Sequence, residues 1–344
     1  MKKIFVLLVI TVLSSTFWTV NTIGQGKAPY MTRTFSASSI KDVEATTSGG
    51  SLTLTGDAGS EAKVEVYVSR DDWSAEQIKK ALEENYAIDI KVENGKLYAV
   101  AKQKKSITNW NRQGLSISFK ITVSKQVDSN LQTNGGSIQI SNLSGTQNFK
   151  TSGGSLAIEN TSGNTVGSTS GGSINIKGSK DNITLNTSGG SISAKDCSGK
   201  IELKTSGGSL NMSNLIGDIT ASTSGGSVTA NAINGKLKTS TSGGSMRLSN
   251  ISGSVDASTS GGSMDVKIIS VSDFVRLSNS GNISLTLPAG KGYRLNVKGN
   301  RVETSGLKDF RGSMESKSLD GTTGGSGGSE INVKSSQRVR LVFE

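Results

Sequence analysis

The chemistry open to this chain is bounded first by what it lacks: its 344 residues contain no histidine, which removes Ser–His and Cys–His nucleophilic pairs and imidazole-based metal sites. A catalytic centre would have to be assembled from carboxylates or lysines. Asp181, Asp196, Asp218, Asp256 and Asp265 each fall at a different position of the 18-residue frame set out below. Glu202 and Asp256 share a position but stand three repeats apart, roughly 14 Å at strand spacing. Paired glycosidase carboxylates need about 5 to 9.5 Å. The expectation is therefore a protein that is not an enzyme, with no catalytic residue, cofactor or metal. A calcium-loaded β-roll has the same 18-residue coil, but its aspartate ligands follow the glycines; here serine follows them and no aspartate recurs. Ice binding fares no better, because the outward positions mix Gln, Asn, Lys, Arg, Glu and Ser instead of repeating threonine. The single cysteine, Cys197, falls at an inward position of the frame and reads as core. One segment has the composition of a binding loop: Lys102, Lys104, Lys105 and Arg112 surround Trp110. Cations around an aromatic ring can stack on a sugar or grip an anionic polymer. Trp110, Lys104, Lys105 and Arg112 are the candidate ligand-binding residues, against the alternative of a long hairpin whose Trp docks on the body of the protein.

The elements that must position such residues are set by a repeat. TSGGS or TNGGS begins at Thr133, Thr151, Thr169, Thr187, Thr205, Thr223, Thr241 and Thr259, each 18 residues after the last. A fixed period of this length without a helical pattern predicts a β-solenoid whose coils bury a shared core. Folding the chain at 18 yields five apolar columns. The first runs from Ile138 and Leu156 to Met246 and Met264, and the second, two residues on, from Ile140 to Val266. Spacing by two is strand spacing. A third column holds Leu143, Thr161, Ser179, Cys197, Leu215, Ile233, Ile251 and Ile269. The fourth ends in Ile183, Ile201, Ile219, Leu237 and Val255, and the fifth includes Phe149, Leu185, Leu203 and Ala221. The fifth breaks at Gly167, which faces inward while Val166 faces out. Each coil is thus two short strands, and eight make a rod about 38 Å long at ~4.8 Å per coil. The Gly-Gly pair is expected at a corner that needs positive φ and leaves no room for a side chain against the next coil. Ser and Thr beside it are placed to form hydrogen-bonded ladders.

Lys2 and Lys3 before the apolar run Ile4–Leu13, then Ser14, Ser15 and Thr16, read as a secretory signal peptide cleaved within residues 22–28. The run is too short to span a bilayer, no later segment replaces it, and no cysteine is placed for lipidation. The expected organisation is residues 1–26 signal peptide, 27–132 an N-terminal cap with a first repeat, 133–285 the solenoid, and 286–344 a C-terminal capping segment. The cap contains an early copy, Thr47–Ser51 with Leu52 and Leu54, and a small α/β elaboration. There Ser74 and Gln77 make a capping box before a helix with Ile78, Leu82 and Tyr86 on one face. Strands are expected at Ala87–Val92, Lys96–Ala101, Leu115–Val123 and Val339–Phe343. The formal charge of +11 favours acidic envelope polymers over nucleic acid in an exported protein.

The combination of TSGGS[LI]x[IL], LSISFKITV (Leu115–Val123), AVAKQKK (Ala99–Lys105) and LSNSGNISLTLP (Leu277–Pro288) resembles a bacterial "putative adhesin" family, a domain of unknown function with β-strand repeats akin to head GIN autotransporter-adhesin-like proteins. The resemblance implies an extracytoplasmic β-helix-like fold and supplies no catalytic residues. The function expected is adhesive or structural at the cell envelope, with a glycan, matrix or protein partner, no nucleic acid and no membrane span. A carbohydrate-active β-helix enzyme and a periplasmic envelope-signalling component are the alternatives.

Overall fold

The computed structural model describes residues 28–57, 59–104, 114–324 and 328–344. The stretch read as a signal peptide, residues 1–26, lies outside the described residues. The rest is almost wholly β: 26 strands with one α-helix and one short 3-10 turn among the described residues. No helix among them is long and apolar enough to cross a membrane.

The repeats lie side by side in parallel. Leu156 pairs with Ile138 on one side and Ile174 on the other, and Leu185 has Gly167 and Leu203 as its neighbours. Equivalent positions of successive repeats are therefore direct neighbours, as the 18-residue spacing requires. Early repeats use two short strands each, such as Leu156–Glu159 and Ser162–Thr169. From Ile192 onward one strand runs unbroken through both halves, as in Ile192–Thr205 and Leu210–Ser222.

The glycine corner works differently from the sequence expectation. Of the paired glycines in the repeats only Gly262 has positive φ. The second glycine is required by proximity instead: a Cβ on Gly208 would lie 2.0 Å from the Gly190 carbonyl oxygen, and the same clash recurs from Gly136 to Gly244. The threonine of each motif occupies the same contact. Thr205 Oγ1 donates to the Gly190 carbonyl at 2.8 Å and accepts the Gly208 N–H at 3.2 Å, a bond repeated at Thr151, Thr169, Thr187, Thr223 and Thr241. Serines add a ladder in which Ser209 N–H donates to Ser191 Oγ at 3.1 Å. Positive φ is used at the opposite bend, at Asn142, Asn160, Asp196, Asn214 and Asn250. Short Asx side chains tolerate that conformation and bond locally. Asn214 Nδ2, for example, donates to Asp196 Oδ1 at 2.7 Å.

The five inward columns are buried, with two informative departures. Gly167 is where the Phe149 ring goes: a Cβ there would sit 2.2 Å from a ring carbon, so the missing side chain is matched by an oversized neighbour. Ile269, expected inward, is 54% exposed, and Ile268 is buried in its place because the register slips between Leu248 and Val255 against the following strand. The early end of the core is polar. Ser129 Oγ donates to Gln147 Oε1, Gln147 Nε2 donates to the Val127 carbonyl, and Thr161 Oγ1 lies 3.0 Å from Thr165 Oγ1.

At the N-terminal end, β1 (Met31–Ser36), β2 (Asp42–Thr46), β3 (Leu52–Asp57), β4 (Glu61–Ser69), α1 (Ala75–Asn85), β5 (Tyr86–Glu93), β6 (Lys96–Gln103), β7 (Ser116–Ser124), β8 (Asp128–Gln132) and β9 (Ile138–Ser141) follow in order. The early TSGGS copy is not set apart from the others: Leu52 pairs directly with Ile138 and Asp42 with Asp128. The chain leaves after β3 and returns at β8. In between, β6 and β7 form the next parallel layer beyond β2 and β3, and β5 and β4 then close it with antiparallel pairing. The Ser74–Gln77 capping box is present and α1 buries Ile78 and Leu82, but Tyr86 begins β5 instead of ending the helical face.

Ten strands continue the array from β10 (Ser144–Lys150) through β18 (Met246–Thr259) and β19 (Met264–Asn279). After them come β20 (Ile283–Leu287), β21 (Tyr293–Lys298), β22 (Arg301–Ser305), β23 (Phe310–Met314), β24 (Ser318–Thr323), β25 (Ser329–Ser335) and β26 (Arg338–Phe343). The device is the same at this end. The chain departs after β20, supplies β21 as a layer on β25, and closes it with antiparallel β24 and β23.

Two substitutions test this packing. Gly208→Ala puts a methyl into a backbone oxygen and should cost about 3 kcal/mol or more, while Gly207→Ala, whose nearest atom is 3.5 Å away, should cost under ~1 kcal/mol in the same denaturation series. Thr239, buried between Ala221 and Ala257, has a hydroxyl with no hydrogen-bond partner, so Thr239→Val should stabilise by about 1 kcal/mol.

Candidate functional site

Of the basic loop, Lys105, Trp110 and Arg112 lie outside the described residues. Lys104 directly follows β6, where its backbone N–H donates to the Asn85 carbonyl at 2.8 Å and its Nζ donates to the Glu83 carbonyl at 2.5 Å. Its charge thus sits at the C-terminal end of α1, where the helix dipole favours a cation. The strands flanking the loop do not form a hairpin: β6 pairs with β5 and β2, and β7 with β3 and β4. At the loop's root, Gln103 helps line a depression of about 560 Å³ over the glycine corners at Gly49 and Gly135.

The other groups singled out by type are structurally occupied. Cys197 is buried, its thiol donates to the Lys195 carbonyl at 3.1 Å, and burial pushes its pKa up, which disfavours the thiolate. Tyr293 is likewise buried, donates to the Pro288 carbonyl at 2.9 Å, and is pushed up to about 12. Glu202 and Asp256 do share a row with two strands between them, through Thr220 and Lys238. No group of three or more Cys, Asp or Glu placed to hold a metal occurs among the described residues.

A convergent surface lies instead on the outward face of β18, β19, β25, β21 and β24. Strand register brings side chains from five separate segments into rows. One row reads Asp256, Arg276, Asn332, Asn296, Asp320; a second reads Phe274, Glu330, Arg294, Thr322; a third reads Ser258, Ser278, Lys334, Lys298, Ser318. Alternation points these residues away from the core formed by Val275, Leu277, Ile331, Val333, Leu295 and Val297. Two depressions, of about 510 and 330 Å³, open on this face.

Its polar groups are held in place. Arg276 lies 4.3 Å over the Phe274 ring and reaches Glu330 Oε2 at 3.1 Å. Asn332 Nδ2 donates to the other Glu330 oxygen, and Asn296 Nδ2 donates to Asp320 Oδ2 at 3.0 Å. The hydrogen bond from Arg276 and its charge hold Glu330 below the usual carboxylate range, against the smaller effect of desolvation. Glu330 is therefore a fixed anion at neutral pH and cannot serve as a general acid there. The arrangement is one of planar amides, guanidinium groups and ammonium heads on a firm sheet, suited to recognition by hydrogen bonding and charge.

Sequence reasoning missed this surface for two reasons. The bulge in β19 moves Arg276 twenty residues from its neighbour Asp256, and the excursion over residues 288–328 separates Glu330 in sequence from the strand it joins. The alternating pattern Tyr293–Lys298 and Glu330–Lys334 was the available signal.

No family model matches the chain, and no curated protein matches it. Among solved structures, it is similar to a "putative cell adhesion protein" from Clostridium sporogenes, with 11% identity over 90% of this chain and 96% of that one, at a TM-score of 0.19. A "putative adhesin" from Bacteroides fragilis shows 16% identity over 74% of this chain and 100% of that one, at 0.35. A "putative lipid binding protein" from Parabacteroides distasonis shows 13% identity over 91% and 96%, at 0.29. Superpositions this loose carry no argument about what the chain binds.

The Glu330 assignment has a definite sign. A carboxylate depressed in the folded state adds stability above its unfolded pKa, near 4.3 for Glu, and loses it as pH falls through the lower folded value. Carboxyl-detected titration should place Glu330 below the ordinary glutamate value of about 4.3, and Arg276→Gln should move it upward; an unmoved midpoint would remove Arg276 as the cause.

Proposed function

We propose that this chain is an exported, non-enzymatic cell-envelope protein, an adhesin or structural element built as a β-solenoid of 18-residue coils, which binds glycan, matrix or a protein partner through its polar outer faces. In this reading residues 1–26 direct export, 27–132 and 286–344 cap the two ends, and 133–285 form the repeat body. The observation that carries it is the parallel register of equivalent positions in successive repeats. That register stacks the aliphatic columns and turns the alternate polar residues outward, so that the exterior is an extended display surface, while Cys197 and Tyr293 are buried and Glu330 and Asp320 are bonded.

The alternative of a carbohydrate-active enzyme rests on the proximity of Glu330, Asp320 and Asp256 to one face. Against it stands the engagement of Glu330 by Arg276 and Asn332 and of Asp320 by Asn296, which favours two fixed acceptors over an acid and base pair.

Incubation of the purified chain with a panel of polysaccharides separates the two readings. Retention of chain on an immobilised glycan without release of reducing ends is the expected outcome. Reproducible turnover that disappears in Glu330→Gln or Asp320→Asn would replace the adhesive reading with the enzymatic one.

A further inference from the structure

Building on the adhesive reading, we infer that the outward face of β19, β25 and β21 is a binding site for an acidic polysaccharide, with Lys298 and Lys334 as its anion-contacting pair.

The first ground is an uncompensated like-charge pair. Lys334 and Lys298 stand directly opposite each other on adjacent parallel strands, both exposed, and like charges so placed repel. Neither makes an ion pair among the described residues, where the nearby acid Glu330 goes to Arg276. Their row continues into Ser278 on one side and Ser318 on the other, side chains too short to reach an ammonium head. Asp256 and Asp320 occupy the next row, and Asp320 is bonded to Asn296.

The second ground is what surrounds the pair. Arg276, Asn332, Asn296 and one carboxylate, Asp256, share with both lysines the lining of the 330 Å³ depression, and Arg294 pairs in register with Glu330 in the row beyond. Amides supply paired donors and acceptors for hydroxyls, while the cations supply a partner for carboxylate or sulfate groups. Residues 286–344 as a whole carry ten Lys or Arg against six Asp or Glu, so a sizeable share of the chain's positive surplus lies at this end. A linear polymer suits the geometry, since the rows run across successive strands along the stack and not around a closed cavity.

The third ground selects glycan over nucleic acid. Single-stranded nucleic acid is gripped through aromatic platforms on which bases stack. The aromatic side chain in these rows is Phe274, and the Arg276 guanidinium already covers its ring.

The test uses the full chain with polygalacturonate and dextran sulfate as acidic probes, neutral dextran, and a single-stranded RNA homopolymer at equal ionic strength. Lys298→Gln/Lys334→Gln is compared with Lys177→Gln/Lys195→Gln, which removes the same charge from a lysine pair, also opposed in register, outside this face. Both double variants should melt within a few degrees of the parent. The site variant should bind the acidic probes about tenfold more weakly, and the control variant should bind nearly as the parent does. Equal losses in the two variants would reduce the effect to net charge and overturn the site, and tighter binding to RNA than to either acidic glycan would overturn the ligand class. Retention on neutral dextran alone would sink this inference while leaving the adhesive reading intact, whereas probe turnover would sink the adhesive reading itself.

Discussion

The rest of the molecule hangs on the contact between the second glycine of each repeat and the carbonyl of the same glycine one repeat earlier. With about 2 Å between a notional Cβ and that oxygen, the corner can close only if the position carries no side chain. The same carbonyl receives the buried threonine hydroxyl, so a group that backbone closure would leave short of a partner is satisfied. These two requirements act together at the corners from Gly136 to Gly244 and fix the register of those repeats against their neighbours. A slip of one residue would turn every aliphatic residue outward, and in one direction would also drive the serine side chain into the carbonyl. The ordered rows of the exterior follow from the same lock.

Inside that frame the core tolerates irregularity provided volume and hydrogen bonding balance locally. Phe149 beside Gly167 keeps the packing filled with one large and one absent side chain. Ser129, Gln147, Thr161, Thr165 and Ser179 bring hydroxyls and an amide into the early repeats, where they bond one another and nearby carbonyls. Such groups are costly only when unpaired, and Thr239 shows the unpaired case in a single position.

Both ends solve the problem of open strand edges in one way. A repeat is interrupted, the excursion lays down one more parallel layer, and antiparallel strands then cover it. Parallel addition of further repeats is thereby blocked, which limits edge-to-edge association. At the C-terminal end the excursion has a second consequence. It brings Arg294, Asn296 and Lys298 against Arg276, Glu330, Asn332 and Lys334, so polar and charged side chains from separate segments meet on one face.

The 18-residue spacing, the alternation of apolar and polar residues and the Ser74–Gln77 capping box were legible in the sequence because each is a local pattern with one physical reading. They pointed to the repeat strands, the helix and the inward columns, and composition alone removed histidine chemistry. The role of the paired glycines was half legible: their crowding could be foreseen from the repeat, whereas their φ could not, because only the backbone path assigns positive φ to Asn142 and its equivalents. Contacts across long excursions were left to the tertiary structure. The pairing of Leu52 with Ile138, the exchange of Ile269 for Ile268, and the rows linking Asp256 to Asp320 depend on which segments return to the stack and with how many extra residues. That information resides in the closure of the chain on itself, since register beyond an excursion is set by the surface it docks against and not by the period that preceded it.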